Sequence, residues 1–355
     1  MRSTIMEVSK KTFIDNINKI KEYVGDKEIM PVIKANAYGT YLNKELDILN
    51  MFNIVAVALV QEAIELRELG YKKEIFVLNQ PSINEIKDII KYKLTIGLSS
   101  KEFLDEVIDK KIKVHLEIET GMNRTGIKIK DLDKIIKKIK KSKLIVEGVY
   151  THLSSADYDK KYTLSQLNTF CIAVDIIKDN YKIKYIHSLA SNGILNYLDD
   201  ITNLVRPGII MYGYDSFNGS NNIIDFKPVC KLKTEITYIK DVDEGEAISY
   251  GQKFVADRKM KVATIPIGYA DGLRRELFNK GEVVINKKKA KIIGTICMDS
   301  CMIDVTSIKN VKVGDTVYIW DNDVIKLDDI AEKCNTINYE ILSTISSRVP
   351  RVFEK

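Results

Sequence analysis

No stretch of the 355-residue sequence runs for about 18 apolar residues, so no membrane-spanning helix is expected. The N-terminal segment "MRSTIMEVSKKTF" has no apolar core of the kind a secretory leader needs. Cysteine is sparse and scattered, at Cys171, Cys230, Cys297, Cys301 and Cys334. An odd count without paired spacing argues for reduced thiols in a cytoplasmic protein. Cys297 and Cys301 lie close together in "CMDSC", but no second pair with zinc-like spacing appears, so no metal is expected. No G-x-G-x-x-G follows the first apolar run, which removes the usual mark of a dinucleotide-binding open sheet. The lysine-rich stretch "KIKDLDKIIKKIKKSK" has no aromatic residues to stack on bases. Despite the formal net charge of +6, it reads as a solvated amphipathic helix and not as a nucleic-acid or membrane surface.

What is present is an alternation. Short apolar runs recur as "MPVIKA", "NIVAVALV", "EIFVLN", "LTIGLSS", "KVHLEIE", "LIVEGVYTH", "YIHSLAS" and "LVRPGIIMYG". Most are rich in Val and Ile on both parities, as strands buried on both faces should be. Helical patterns such as "VQEAIELRELG" and "SQLNTFCIAVDIIKDNY" lie between most of them; the connection between the first two is short. Eight strand–helix alternations predict a (β/α)8 TIM-type barrel over residues 1–225. After "FNGSNNIIDFKP" the texture changes to period-two segments with Gly-containing turns, among them "VCKLKTEITYIKDV", "GEVVINKKKAKIIGTI" and "VKVGDTVYIW". These predict a mostly antiparallel β domain over residues 226–355, closed by two short helical patterns before Pro350.

Function in such a barrel gathers at the C-terminal ends of the strands. Lys34 and Tyr38, Arg124, His152, Ser191, and then Arg206, Gly208 and Ile209 all fall there. Each alone has an ordinary reading: a surface lysine, a core histidine, a turn-bracing arginine. Together they suggest a phosphate and an aldehyde. Backbone N–H groups near Gly208 and Ile209, with the hydroxyls of Ser191 and Tyr38, suit a phosphate. A lysine opposite suits a Schiff base, so the set reads as a pyridoxal 5'-phosphate site.

At this point the sequence resembles a known family. "VIKANAYG" at 32–39 is similar to the pyridoxal-lysine signature of alanine racemases. "ETGMNRTGI", "GVYTHLSSAD", "LVRPGIIMYG", "ISYGQKF", "TIPIGYADGLRR", "IIGTICMDSCMIDV" and "NYEILSTISSRVPR" resemble further blocks in the family's order, between residues 32 and 351. The resemblance implies racemisation of alanine by two bases, Lys34, which also carries the cofactor, and Tyr250. It implies a homodimer in which Tyr250 and Met298 enter the partner's site. It gives phosphate contacts to Tyr38, Ser191, Gly208, Ile209 and Tyr339, and places Arg206 at the pyridine nitrogen. His152 is expected to link Arg206 to Tyr250. Arg124 is expected at the substrate carboxylate, Tyr269 at the entry gate, and Glu117 and Asp299 in support.

The residue types suit that task. Two bases on opposite faces of Cα move a proton across it without turning the substrate. Free lysine and tyrosine both titrate near 10, so each needs acidifying to work near neutral pH. A guanidinium only donates, so an arginine keeps the pyridine nitrogen unprotonated and moderates the electron sink. That disfavours a decarboxylase on the same architecture, and the β domain bearing Tyr250 disfavours a non-catalytic cofactor carrier. Three departures from the family pattern stand out. Glu117 occupies a position where many members have a lysine, often carbamylated, and is expected to pair with Arg124. "HSLASNGIL" leaves Ser191 as the phosphate serine, with Asn192 the alternative. The lysine-rich helix is not a family hallmark, and no function attaches to it. Related serine racemases usually replace the tyrosine matching Tyr339; its presence favours alanine, with serine a minor substrate.

Overall fold

The structure, a computed structural model, describes residues 3–215 and 223–354. Residues 216–222, part of the expected junction stretch, lie outside the described residues. The chain divides into two compact units: Ile14–Ala37 with Leu42–Phe226, and Met1–Phe13 with Tyr38–Tyr41 and Lys227–Lys355.

Strand β1 (Ile5–Ser9) opens the chain, followed by a helix over Lys10–Val24. The parallel strands come next: β2 (Glu28–Ile29), β3 (Ile54–Val57), β4 (Glu74–Val77), β5 (Thr95–Leu98), β6 (Lys113–Glu117), β7 (Ile145–Tyr150), β8 (Tyr185–His187) and β9 (Leu204–Val205). Strands β3 to β8 form a six-stranded parallel sheet in chain order, and β2 pairs with β9. Parallel bridges Val32↔Ala56 and Ala190↔Arg206 join the two pieces on either side, so the eight strands close into a ring. Strands β3 and β5 are buried at every residue, as the apolar-on-both-parities pattern requires. The lysine-rich stretch forms the helix Ile129–Ile139, burying Leu132, Ile135, Ile136 and Ile139 and leaving Lys130, Lys134 and Lys137 in solvent. It is the amphipathic barrel helix that the sequence pattern describes.

The second unit carries β10 (Cys230–Glu235), β11 (Tyr238–Val242), β12 (Met260–Ile265), β13 (Glu282–Ile285), β14 (Lys288–Ile293), β15 (Cys301–Asp304), β16 (Thr316–Trp320) and β17 (Arg351–Glu354). They join β1 in one nine-stranded sheet of order β11-β12-β15-β14-β13-β16-β10-β1-β17. Every pairing is antiparallel except β1 with β17. Strand β1 thus belongs to the sheet built by the C-terminal residues, a pairing across more than two hundred residues that local pattern does not encode. Helices Leu327–Lys333 and Asn338–Ser343 match the two short helical patterns.

Candidate active site

Lys34 follows directly on the barrel wall, where Ile33 donates its N–H to Ala56 O at 2.9 Å. The chain then turns left-handed. Ala35, Asn36, Ala37 and Tyr38 have φ of 52°, 53°, 53° and 55°. Each L-residue in that region costs roughly 1–2 kcal/mol, so four in a row require outside support. Glu62 supplies it: its carboxylate accepts from the N–H of Ala35 at 2.5 Å, Ala58 at 2.8 Å and Leu59 at 3.1 Å. Gly39 continues the turn at φ 80°, where an added Cβ would sit 2.5 Å from Leu342 O. Within "KANAYG" only Gly39 takes a positive φ without that penalty. Burial lowers the Lys34 amine below its ordinary value; Arg124 lowers it further and Glu62 opposes. An amine so placed is a better nucleophile and base near neutral pH.

Arg206 is only 2% exposed. Its Nη1 donates to His187 Nδ1 and His187 O, both at 2.7 Å, and its Nη2 to Thr151 O at 2.8 Å and Ser188 O at 3.3 Å. The expected link from Arg206 to His152 is not made; His187 takes that place because it lies on the neighbouring strand beside β9. His152 is bonded through its carbonyl, from Gln166 at 3.3 Å. Burial, then Arg206, Arg124 and Lys34, push its imidazole down to about 3, so it stays neutral. That electrostatic coupling groups Lys34, Arg124, His152 and Arg206 at the C-terminal ends of the barrel strands. Next to them Ser191 Oγ accepts from Gly208 N at 3.0 Å, which singles out Ser191 over Asn192 as the side chain against Gly208. Gly208 precedes the short helix Ile209–Tyr212, whose first N–H groups have no partner within it.

Glu117 departs from expectation. It is not paired with Arg124: one carboxylate oxygen takes the Ser99 hydroxyl and the other the Thr125 hydroxyl at 2.9 Å. Arg124 is exposed, whereas Glu117 is buried at 4%. The buried carboxylate thus fixes the residue after Arg124 and orders that loop indirectly. Glu117→Gln should raise the KM for the amino-acid substrate roughly tenfold, the size of one hydrogen bond to a charged group. Steady-state kinetics check this, and an unchanged KM and kcat would remove Glu117 from the site.

In the other unit, the rings of Tyr38 and Tyr339 lie 6.0 Å apart. Burial, then Tyr339, raise the Tyr38 hydroxyl well above its ordinary value, so it remains a hydrogen-bond donor. Tyr250, Met298 and Tyr269 are 72%, 51% and 43% exposed. Their loops are stitched together. Thr295 Oγ1 donates to Tyr250 O at 2.9 Å, Tyr269 N to Cys297 O at 3.0 Å and Ala270 N to Met298 O at 3.0 Å. Gly268 allows the approach, since a Cβ there would lie 2.3 Å from the Cys297 and Met298 carbonyls. Asp299 accepts from Arg348 at 2.7 Å. The three exposed side chains are thus presented on backbone that is itself fixed.

The sequence reading passed over His115, His187 and Tyr150. All three are buried in barrel strands and linked to Arg206 or to one another. "KVHLEIE" and "YIHSLAS" each carry one histidine at an inward position, the only signal available.

Known proteins can now be set beside this geometry. Residues 8–216 match the family described as "Alanine racemase, N-terminal domain", and 229–353 match "Alanine racemase, C-terminal domain". The alanine racemase of Clostridium kluyveri is 39% identical over a 365-residue alignment covering 98% of this chain and 93% of that protein. That of Halothermothrix orenii is 39% identical, covering 99% and 97%. Among solved structures, the alanine racemase of Clostridium difficile 630 superposes with a TM-score of 0.93 at 34% identity, covering 100% and 96%. That of Bacillus anthracis, with bound L-Ala-P, gives 0.94 at 33%, covering 100% and 96%.

Proposed function

The chain belongs to the alanine racemase family, a family of isomerases that use pyridoxal 5'-phosphate, and we propose that it interconverts L- and D-alanine with Lys34 and Tyr250 as its two bases. The observation that carries this reading is Lys34, its amine acidified by burial and Arg124, in the same barrel mouth as the buried Arg206. The donor set fits the cofactor. Ser191 with the N–H groups of Gly208 and Ile209 suits its phosphate, Arg206 its ring nitrogen, and Lys34 its aldehyde. Bound there, pyridoxal 5'-phosphate supplies the electron sink that acidifies Cα–H.

The chain's own residues do the rest. Arg206 donates without being able to accept, which keeps the ring nitrogen unprotonated and limits misplaced protonation. Arg124 and the Met298 N–H receive the substrate carboxylate. Tyr38 and Tyr339 complete the phosphate site, and the Tyr339 ring narrows the space for the substrate side chain. Tyr269 lines the entry, with Glu117 and Asp299 holding the Arg124 and Met298 loops. Lys34 handles the proton on one face of Cα and Tyr250, from a second copy, on the other. A homodimer with the barrel of 1–225 and the β domain of 226–355 shared across sites follows from this reading, as does a cytoplasmic location, which the five free cysteines suit. Among the described residues no helix is long and apolar enough to cross a membrane.

The experiment is direct. The purified holoenzyme is incubated with L-alanine, L-serine and L-lysine, and enantiomers and carbon dioxide are measured. D-alanine without gas, with D-serine slower, is the expected result. Gas release marks a decarboxylase, and faster serine turnover a serine racemase.

A further inference from the structure

Behind Arg206, a chain of buried polar groups runs on through the barrel interior. His187 accepts the Arg206 N–H at Nδ1, and its Nε2 lies 2.8 Å from Nδ1 of His115. His115 and His187 are both wholly buried. Past His115 stand Glu74 and Glu147, with the imidazole and carboxylate ligand atoms of the three within 4.8 Å of one another. His115 Nε2 and Glu147 Oε2 are both buried without a hydrogen-bond partner. Lys113 caps the far end, 2.8 Å from Glu147 and 3.8 Å from Glu74.

The donors and acceptors in this chain admit one arrangement. A guanidinium has no acceptor, so His187 Nδ1 must be bare and its proton must sit on Nε2. That N–H donates to His115 Nδ1, which is then bare as well. The His115 proton therefore sits on Nε2, the nitrogen without a hydrogen-bond partner on a ring that neighbours Glu74 and Glu147. Each imidazole dipole points its positive end away from the arginine, so the links reinforce one another. The same logic argues against a metal ion among Glu74, His115 and Glu147, because the nitrogen that would ligate it holds a proton. Burial and then Arg206 depress both imidazoles, His115 to about 3 and His187 well below its usual value, so both stay neutral. Burial raises the Glu74 carboxyl, and the adjacent Glu147 adds to that.

The surroundings are shaped to hold these rings. The β6–β7 register shifts between Val114 and His115, a bulge of the kind that re-aims a side chain. Gly148 leaves the room, since a Cβ there would lie 2.6 Å from the His115 ring. Phe76 stacks on His115 at 4.5 Å, and Tyr150 on His187 at 5.0 Å with planes 6° apart.

We propose that His115, backed by Glu74 and Glu147, is a positioning residue that selects the His187 tautomer able to hold Arg206. This rests on the racemase reading, in which Arg206 faces the cofactor. Without His115, the His187 Nε2–H would be buried with no acceptor, and that desolvation cost would work against the tautomer that accepts from Arg206.

The chain contains three histidines, so imidazole nitrogen NMR of the holoenzyme labelled at histidine resolves three rings. Two should be neutral Nε2–H tautomers that do not titrate between pH 6 and 9. In His115→Phe, which keeps an aromatic ring in the stack, His187 should show Nδ1–H character. Its kcat should fall by about tenfold to a hundredfold, as for a displaced catalytic group, with KM nearly unchanged. His115→Gln, whose amide can accept from His187 and donate to the carboxylates, should recover part of the loss. Nδ1–H on either ring in the wild type, or wild-type tautomer and kinetics in His115→Phe, would overturn the proposal. The wild-type spectrum tests it even if the variant does not fold. Absence of alanine racemisation in the wild type is a separate result, which would remove the functional reading and not the tautomer assignment.

Discussion

Lys34→Ala is expected to lower kcat for alanine racemisation by more than roughly a thousandfold, because one side chain is asked to serve as cofactor anchor and base. Borohydride reduction of the wild-type holoenzyme, followed by peptide mapping, should place the label on Lys34; a label on another lysine would overturn the site. The pH dependence has a defined sign. Burial and Arg124 hold the folded amine below its ordinary 10.5, so the unprotonated, nucleophilic form appears at lower pH than on surface lysines. Reaction of cofactor-free protein with pyridoxal phosphate should therefore rise with pH and reach half its maximum below 10.5. Between the folded value and the unfolded one, the unfolded chain binds the extra proton, so this group's contribution to stability grows as pH rises through that window. A Lys34 titration at or above the free-lysine value would refute the electrostatic account of the site.

Tyr250→Phe should reduce turnover by roughly a hundredfold or more, the range for a lost general acid–base group, and should affect the two directions through different proton-transfer steps. The sharper measurement mixes subunits. If Tyr250 acts in the partner's site, a hybrid of one Lys34→Ala chain and one Tyr250→Phe chain holds one site with both lesions and one with neither. Two nearly inactive variants, unfolded and refolded together, should then regain about a quarter of wild-type activity, as random pairing and two sites per dimer dictate. Mixing without recovery would confine each site to one chain. The 72% exposure of Tyr250 on a loop anchored through Thr295 is what motivates the test.

The barrel was legible because its strands are apolar on both parities, a pattern only a sheet covered on both faces demands. Seven of the eight apolar runs contain a barrel strand, and the first contributes the bridge residue Val32. In the other unit β10, β11, β13, β14 and β16 fall within the alternating segments. Strands β12 and β15 fall outside those segments, and β1 and β17 lie near the two ends of the sequence. The partners of β1 and β17 lie more than two hundred residues away, so local alternation says little about those two. The left-handed turn after Lys34 was hidden for another reason. Alanine and asparagine do not announce positive φ as glycine does, and the turn is held by Glu62, which lies outside the motif.

The sequence by itself determined the eightfold alternation, the period-two domain after it, and a family resemblance that names cofactor, substrate and bases. Those follow from hydrophobic period and from motifs, which are local properties. Tertiary structure alone decided the partners of the buried charges. Arg206 bonds His187 instead of His152, and Glu117 holds Thr125 instead of Arg124. A buried guanidinium or carboxylate must be met by whichever groups the neighbouring strands bring within about 3 Å. Sequence spacing does not fix that distance; the closing of the barrel does.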